Sequence, residues 1–397
     1  MVRCWPSAQR SVLQVFAGVA WLLGAAEGKA PWPMVLQEPS HRATLGHGLA
    51  LPTSRPEVKW RYDTKEEVES SVVVGERLVF SAGGKTAYAL DRATGEKVWS
   101  FQTQGPVLSS GALAGGVFLV GSDDQHFYAL AEATGEVLWK FRAGEFTGGA
   151  TVDEEEGAVY VGSGDRKLYA YFLNGTSRFT FTAMEQICST PALDEGRVYF
   201  GDDAGHFYSV SRATGQEVWK VTFDSGIRSP ARLEADAIFV TIGDPDGSQS
   251  GEVVRLGYDG AVQWRSDCGV KKTKCDSCWT TPAVVGDVVV MGCGLDTRSR
   301  GFIWGLEKDS GKVRWKVAAG NDCQTSSPVV MGEGVVLGCI DGSLYGIRAA
   351  DGVVQWTFSA GAGIWTTPAL DEDGTIYIGS HDGHVYALSA RAEKAEL

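Results

Sequence analysis

The chain has 397 residues, 36 Lys and Arg against 49 Asp and Glu, a formal charge of −13, 44% hydrophobic residues and 51 glycines. So acidic a balance argues against a nucleic-acid or anionic-membrane binder steered by overall charge. With 21% charged residues the chain is an ordinary folding sequence, long enough to bury a large core, and its glycines imply many tight turns.

Residues 1–26 have the pattern of a signal peptide: Arg3 and Arg10 precede an apolar run from Val12 to Leu23, followed by Gly24, Ala25 and Ala26. The run is too short for a membrane span, and its removal would leave a mature charge of −15. The expectation is entry into a secretory route, to an extracellular or periplasmic space. Cys4 stands before the apolar run, misplaced for bacterial lipid attachment. Residues 27–56, rich in Pro and polar groups, read as an extended lead-in that packs on the next domain.

From residue 57 a period takes over. Trp60, Trp99, Trp139, Phe179, Trp219, Trp264, Trp315 and Trp356 follow one another at steps of 39, 40, 40, 40, 45, 51 and 41 residues, nearly all four residues after a turn glycine. One unit, Ser70 to Thr103, holds four short apolar runs separated by turns: SSVVV, RLVFSAG, KTAYALD and EKVWSFQT. Calling these strands A to D, a repeat of about 40 residues with four strands predicts one propeller blade. The Trp60 strand has no A, B or C before it, and the last unit, ending at HVYAL, has no D strand after it. Pairing the two closes an all-β, eight-bladed propeller of four-stranded antiparallel blades over residues 57–391, with 392–397 as a tail.

Antiparallel order puts the D-to-A connections and B-to-C turns on one face of the disc. All seven cysteines after Cys4 fall there. Cys323 and Cys339 flank a hairpin symmetrically about Met331, which places them opposite one another for a disulfide. Cys293 would bond in the same way to Cys278 or Cys275 in the sixth blade. Cys268, Cys275, Cys278 and Cys293 also fit a four-thiolate zinc site, and Cys275-Asp-Ser-Cys278 a redox dithiol; structural disulfides are favoured, and no metal is assigned. Cys188, three residues before Pro191, aligns with Val68, Leu108, Phe146, Ile227, Trp279, Thr325 and Trp365 as a mostly apolar ring, hence as a buried small hydrophobe.

Three insertions, Asp244 to Gly251, Asp267 to Ser277 and Leu295 to Gly301, lie on the same face in blades 5 and 6. With Lys271, Lys272, Lys274, Arg298 and Arg300 they make a basic patch on an acidic protein, suited to an acidic protein partner. His126, His206 and His384 open C strands in separate blades and read as turn positions. Asn174-Gly-Thr176 is a glycosylation sequon in a C-to-D turn, where Asn-Gly also serves the turn itself. No catalytic Ser, His and Asp set can be assembled from the sequence, so no catalytic residue is assigned.

ALDRATGEKVW at 89–99 resembles the tryptophan-docking repeat of the pyrroloquinoline-quinone (PQQ) dehydrogenase propellers, whose superfamily includes the outer-membrane assembly factor BamB. Ala129, Thr134, Gly135 and Trp139 match it, Thr214, Gly215 and Trp219 match in part, and Trp32, Pro33 and Met34 followed by His41 resemble a lead-in of secreted members. The resemblance spans about residues 57–390 and implies that the aromatics pack between blades. For the enzyme branch it implies PQQ, calcium and a pair of adjacent cysteines. The chain has no Cys-Cys dipeptide, and Asp244 and Asp246 in GDPDGSQSGE lack a calcium-loop pattern. The expectation is therefore a non-catalytic, BamB-like protein-binding scaffold without cofactor, with a PQQ-dependent oxidoreductase of reduced size as the alternative.

Overall fold

The computed structural model describes residues 30–41, 49–243, 251–266, 279–294 and 301–389. Eight four-stranded antiparallel sheets form the blades, and the A strands of neighbouring blades contact one another, so the A strands are innermost. Blade 1 comprises Val73–Val74, Leu78–Gly83, Thr86–Asp91 and Lys97–Gln102. In blade 8, strands Ala369–Leu370, Ile376–Gly379 and His384–Ser389 are joined by Glu57–Asp63 as strand D, with Trp60 opposite Ala387 and Asp63 opposite His384. The N-terminal strand thus completes the last blade, and the ring has no open sheet edge between its ends.

Each D-strand aromatic leaves its own blade to pack on the next. Trp60 donates its Nε1–H to the Arg92 carbonyl at 2.9 Å, Trp99 to Glu132 at 2.8 Å, Trp139 to Leu173 at 2.7 Å and Trp219 to Tyr258 at 2.9 Å. Trp264 and Trp315 do the same to Lys308 and Ala349. Every acceptor lies in the C-to-D turn of the following blade. The indole also lies on the turn glycine: a Cβ on Gly95 would stand 2.6 Å from the Trp60 ring, and one on Gly135 would stand 2.7 Å from Trp99, both at φ +75°. Glycine is needed there twice over, for space and for its left-handed backbone. Phe179 packs against Gly215 without a donor, and Trp356 alone among the indoles of the series has a buried Nε1 with no hydrogen-bond partner. Blade 8 explains this, because its C-to-D turn is replaced by the two ends of the propeller chain.

A second link runs round the axis. Ser70 donates to the Ser109 carbonyl, Ser109 to that of Gly148, Thr281 N–H to Ser327, Ser327 N–H to Thr367, and Thr367 N–H to Ser71. These hydroxyls stand just ahead of the A strands and join each to its neighbour, which satisfies buried backbone groups that no ladder reaches.

The lead-in lies across the end of the disc where the A–B hairpins turn. Trp32 exchanges two backbone hydrogen bonds with Val74 of blade 1, Leu113 of blade 2 donates to Pro33, Leu193 of blade 4 to Pro39, and Leu233 of blade 5 to Ser40. Trp32, Met34 and Leu36 are buried beneath it. His41 is wholly enclosed, its Nδ1 3.0 Å from the Ala231 carbonyl, and burial pulls its pKa down from 6.5 to about 4.

Two outcomes follow. Gly135→Ala should cost about 1–3 kcal/mol in denaturant unfolding by forcing both Trp99 and the turn to shift, whereas Gly116→Ala, with open space around it, should cost only its backbone strain. Because the native pKa of His41 is depressed, its contribution is present above pH 6.5 and lost as pH falls towards 4, on the order of 3 kcal/mol. Hydrogen exchange at the Leu193 and Leu233 amides should therefore accelerate between pH 6.5 and 4 after correction for the intrinsic rate, and His41→Leu should remove that acceleration.

Candidate binding face

The A–B end is crossed by the lead-in, whereas at the opposite end of the channel no segment among the described residues makes such a crossing. The residue before each axial hydroxyl lines its mouth. Ser189 donates to Gly201 at 2.9 Å, Ser229 to Thr241, Thr280 to Gly292 and Thr366 to Gly379, and Ser326 accepts from Gly338 N–H. These equivalent bonds fix the ring in blades 4 to 8 as Cys188, Arg228, Trp279, Thr325 and Trp365, and the chain from Ser70 to Ser109 to Gly148 extends it to Glu69, Leu108 and Thr147 in blades 1 to 3. The apolar ring expected from sequence is corrected in this respect: Val68, Phe146 and Ile227 belong one residue deeper, where all are buried. Pro230 sits one position earlier than Pro191 relative to the hydroxyl, which shifted Ile227, while blades 1 and 3 have no proline there to count from.

Two chemically opposite arcs make up the mouth. On blades 4 to 6, Arg228 grips Asp203 through Nε at 3.0 Å and a terminal nitrogen at 2.7 Å, and its guanidinium lies over the Trp279 ring, 5.4 Å from the centroid. Cys188 lies 3.8 Å from the same carboxylate, and burial followed by the Asp203 charge pushes its thiol up to about 11. It is no nucleophile at neutral pH. The indole N–H of Trp279 and the hydroxyl of Thr325 are buried without hydrogen-bond partners.

On blades 8, 1 and 2 the arc is acidic. Trp365 stacks on His381 with centroids 4.6 Å apart and planes at 16°. His381 Nδ1 is 3.8 Å from Glu67 and its Nε2 3.5 Å from Glu69. Burial, and then Glu145, Glu69 and Asp124, raise the Asp123 carboxyl to about 6. Sequence reasoning passed over His381, Glu67 and Glu69; the available signal was a His-Asp pair, His381-Asp382, at the B-to-C turn where blade 2 has Asp123-Asp124.

Among the cysteines, Cys323 and Cys339 are bonded, with Cα atoms 4.2 Å apart. They are not rungs of one ladder: Met331 pairs with Gly334, so the hairpin centre lies beyond Met331, and Cys323 joins from the D-to-A connection ahead of strand A. Cys293 is buried at the end of strand B of blade 6. Cys268, Cys275, Cys278, Lys271, Lys272, Lys274, Arg298 and Arg300, like Asp244 and Asp246, lie outside the described residues. His126, His206 and His384 each turn Nδ1 to an Asp of the preceding turn, Asp124, Asp202 and Asp382. Asn174 is exposed, its Oδ1 accepting from the Thr176 N–H at 2.9 Å.

Fold and repeat together define a PQQ-repeat β-propeller. The family described as outer membrane protein assembly factor BamB matches residues 54–146, 124–248 and 249–395, and the chain belongs to it. No curated protein matches the chain in sequence. Among solved structures it is similar to BamB from Moraxella catarrhalis, at 15% identity and TM-score 0.68 over 86% of this chain and 99% of that one. It is likewise similar to a europium-containing methanol dehydrogenase, at 15% identity and TM-score 0.71 over 92% of each chain. A quinohemoprotein alcohol dehydrogenase from Comamonas testosteroni, at 15% identity and TM-score 0.71, is matched over 83% of its length by 94% of this chain. The family covers both assembly factors and dehydrogenases, and likenesses at this identity carry the fold alone.

The raised Asp123 carboxyl binds its proton more tightly in the folded state, so its stabilising contribution is present below about pH 4 and lost as pH rises through 6. Asp123→Asn should therefore raise the Tm at pH 7 relative to the parent and leave the two alike near pH 3.5.

Proposed function

We propose that the protein is a non-catalytic, secreted or periplasmic propeller that holds a protein partner on the D–A face. The observation that carries this reading is the division of labour between the two ends: the lead-in covers the A–B end, while the other displays Met184 at 60% exposure and Trp365 at 36%. Both stand on D-to-A connections amid charged side chains, an apolar anchor within a polar rim, as protein interfaces are built. Every other large hydrophobic exposed among the described residues lies on or beside a D strand at the rim of the disc. The basic insertions expected on this face add an acidic preference in the partner, and the family's description as an assembly factor agrees with a holding role.

The enzyme branch would need PQQ, calcium and adjacent cysteines. Cys323–Cys339 closes 16 residues and is wholly buried, so it offers no exposed sulfur pair on which a flat cofactor could rest, and these residues do not fit that arrangement. A photo-crosslinking residue placed at Met184 or Trp365 should capture one discrete partner in the native compartment, and one at Glu195 on the covered end should not. Lys271→Glu with Lys272→Glu and Lys274→Glu should weaken capture at least tenfold with Tm unchanged. Capture at Glu195 alone, or a Tm rise on adding PQQ and calcium, would overturn the reading.

A further inference from the structure

The acidic arc of the mouth contains a cluster that neither packing nor the proposed docking role requires. Glu67 and Glu69 flank Val68 on an extended segment between strand D of blade 8 and strand A of blade 1. Val68 is buried, donates its N–H to the Ser380 carbonyl at 3.2 Å, and packs against Gly379, where a Cβ would stand 2.3 Å from Val68 Cγ1. The next residue after Ser380 is His381, whose own N–H donates to Gly363 at 2.9 Å. The backbone of three segments thus holds the two carboxylates and the imidazole against one another, and the Trp365 ring stacked on His381 fixes the tilt of the imidazole.

These groups are close but not hydrogen-bonded. His381 Nε2 is 3.5 Å from Glu69 and Nδ1 is 3.8 Å from Glu67, and one ligand atom from each residue lies within 4.8 Å of the others. The Nε2 atom is buried and has no hydrogen-bond partner. Neither glutamate is paired with a Lys or Arg among the described residues, and the Asp123 carboxyl beyond Glu69 has been pushed up partly by that same negative charge. Two ligands each about 2.1 Å from a tetrahedral ion stand roughly 3.4 Å apart, close to the gap between Nε2 and Glu69. A carboxylate at the other imidazole nitrogen is the arrangement that fixes the tautomer of a metal-bound histidine.

We propose that His381 and Glu69, with Glu67 as third ligand or as the partner of Nδ1, form a site for a divalent transition-metal ion of the zinc type. Mixed imidazole and carboxylate donors favour Zn²⁺ over Ca²⁺ or Mg²⁺, which take oxygen donors alone. The ion would bridge blades 8 and 1 at the point where the ring is closed by the chain ends, and metal binding there would also tie down that closure.

The test uses the mature chain stripped with a chelator and titrated with ZnCl2 by calorimetry. One tight site is expected in the parent, weakened at least tenfold in His381→Ala and in the near-isosteric Glu69→Gln, with circular dichroism confirming that both variants are folded. Ni²⁺ should quench part of the tryptophan fluorescence by occupying the site beside Trp365, and Trp365→Phe should lose that quenching while still binding Zn²⁺. No binding by the folded parent, a preference for Ca²⁺, or a Zn²⁺ site that survives His381→Ala and so belongs to the cysteines would each overturn the proposal.

Discussion

The contact on which the rest of this structure depends is the one between the D-strand indole of one blade and the C-to-D turn of the next. Each such contact ties two sheets together by a hydrogen bond and by a ring face that only a glycine backbone admits. Because each blade supplies an aromatic ring, Phe179 in blade 3 and an indole in the others, and all but blade 8 offer a turn to receive one, the contacts sum round the disc only if the ring closes. At blade 8 the turn is missing, since its C and D strands come from opposite ends of the chain. Trp356 then keeps its burial but loses its acceptor, and the strand Glu57–Asp63 supplies the closure through its ladder to His384–Ser389 instead. The price of closing with the termini is one unsatisfied indole.

Closure at the rim leaves the axis to be organised separately, and short hydroxyl side chains do this. The pairs Ser70-Ser71, Ser109-Ser110, Ser189-Thr190, Thr280-Thr281, Ser326-Ser327 and Thr366-Thr367 recur ahead of the A strands. Their bonds hold each A strand in one register against its neighbours, which frees the preceding residue from any duty in packing. That freedom shows in the ring of the mouth, where Arg, Trp, Glu, Thr, Leu and Cys occupy equivalent places. At the other end the lead-in uses the A strands themselves as docking edges, through Val74, Leu113, Leu193 and Leu233. The two ends of the channel therefore differ in kind: one is crossed by lead-in backbone docked on the A strands, the other is a frame for side-chain chemistry.

What could be read from the sequence follows from this division. The eight aromatics, the turn glycines and the orphan strand at Trp60 report contacts repeated in every blade, so a period exposes them and the architecture with its closure is legible. The mouth is not periodic in chemistry, because its positions carry no repeated packing constraint. Proline was a poor landmark for it, since the kink tolerates Pro at either of two adjacent positions, as Pro191 and Pro230 demonstrate. The hydroxyl pairs would have given the correct frame, as their spacing to the acceptor on strand B is set by the ladder. Cys323 and Cys339 could be matched by counting, yet their meeting depends on the path of the D-to-A connection rather than on hairpin symmetry about Met331.

His381 and Glu69 were invisible for a different reason. Separated by more than 300 residues, they become neighbours only because the chain ends meet at blade 8, and no local pattern records a contact made by closure. The same seam, which runs inside blade 8 between strand C at His384–Ser389 and strand D at Glu57–Asp63, sets Glu67 and Glu69 from one end of the propeller beside Trp365 and His381 from the other. In the other blades strands C and D are joined by one short turn, whose path already constrains the residues on either side of it. At the seam no turn joins strands C and D, and the segments that leave it, at Val68 and at Ser380, are tied by a backbone bond instead. Glu67 and Glu69 stand on one side of that place and His381 on the other, so the two carboxylates repel each other within one segment. An ion shared with His381 would relieve that repulsion and add a bond across the closure.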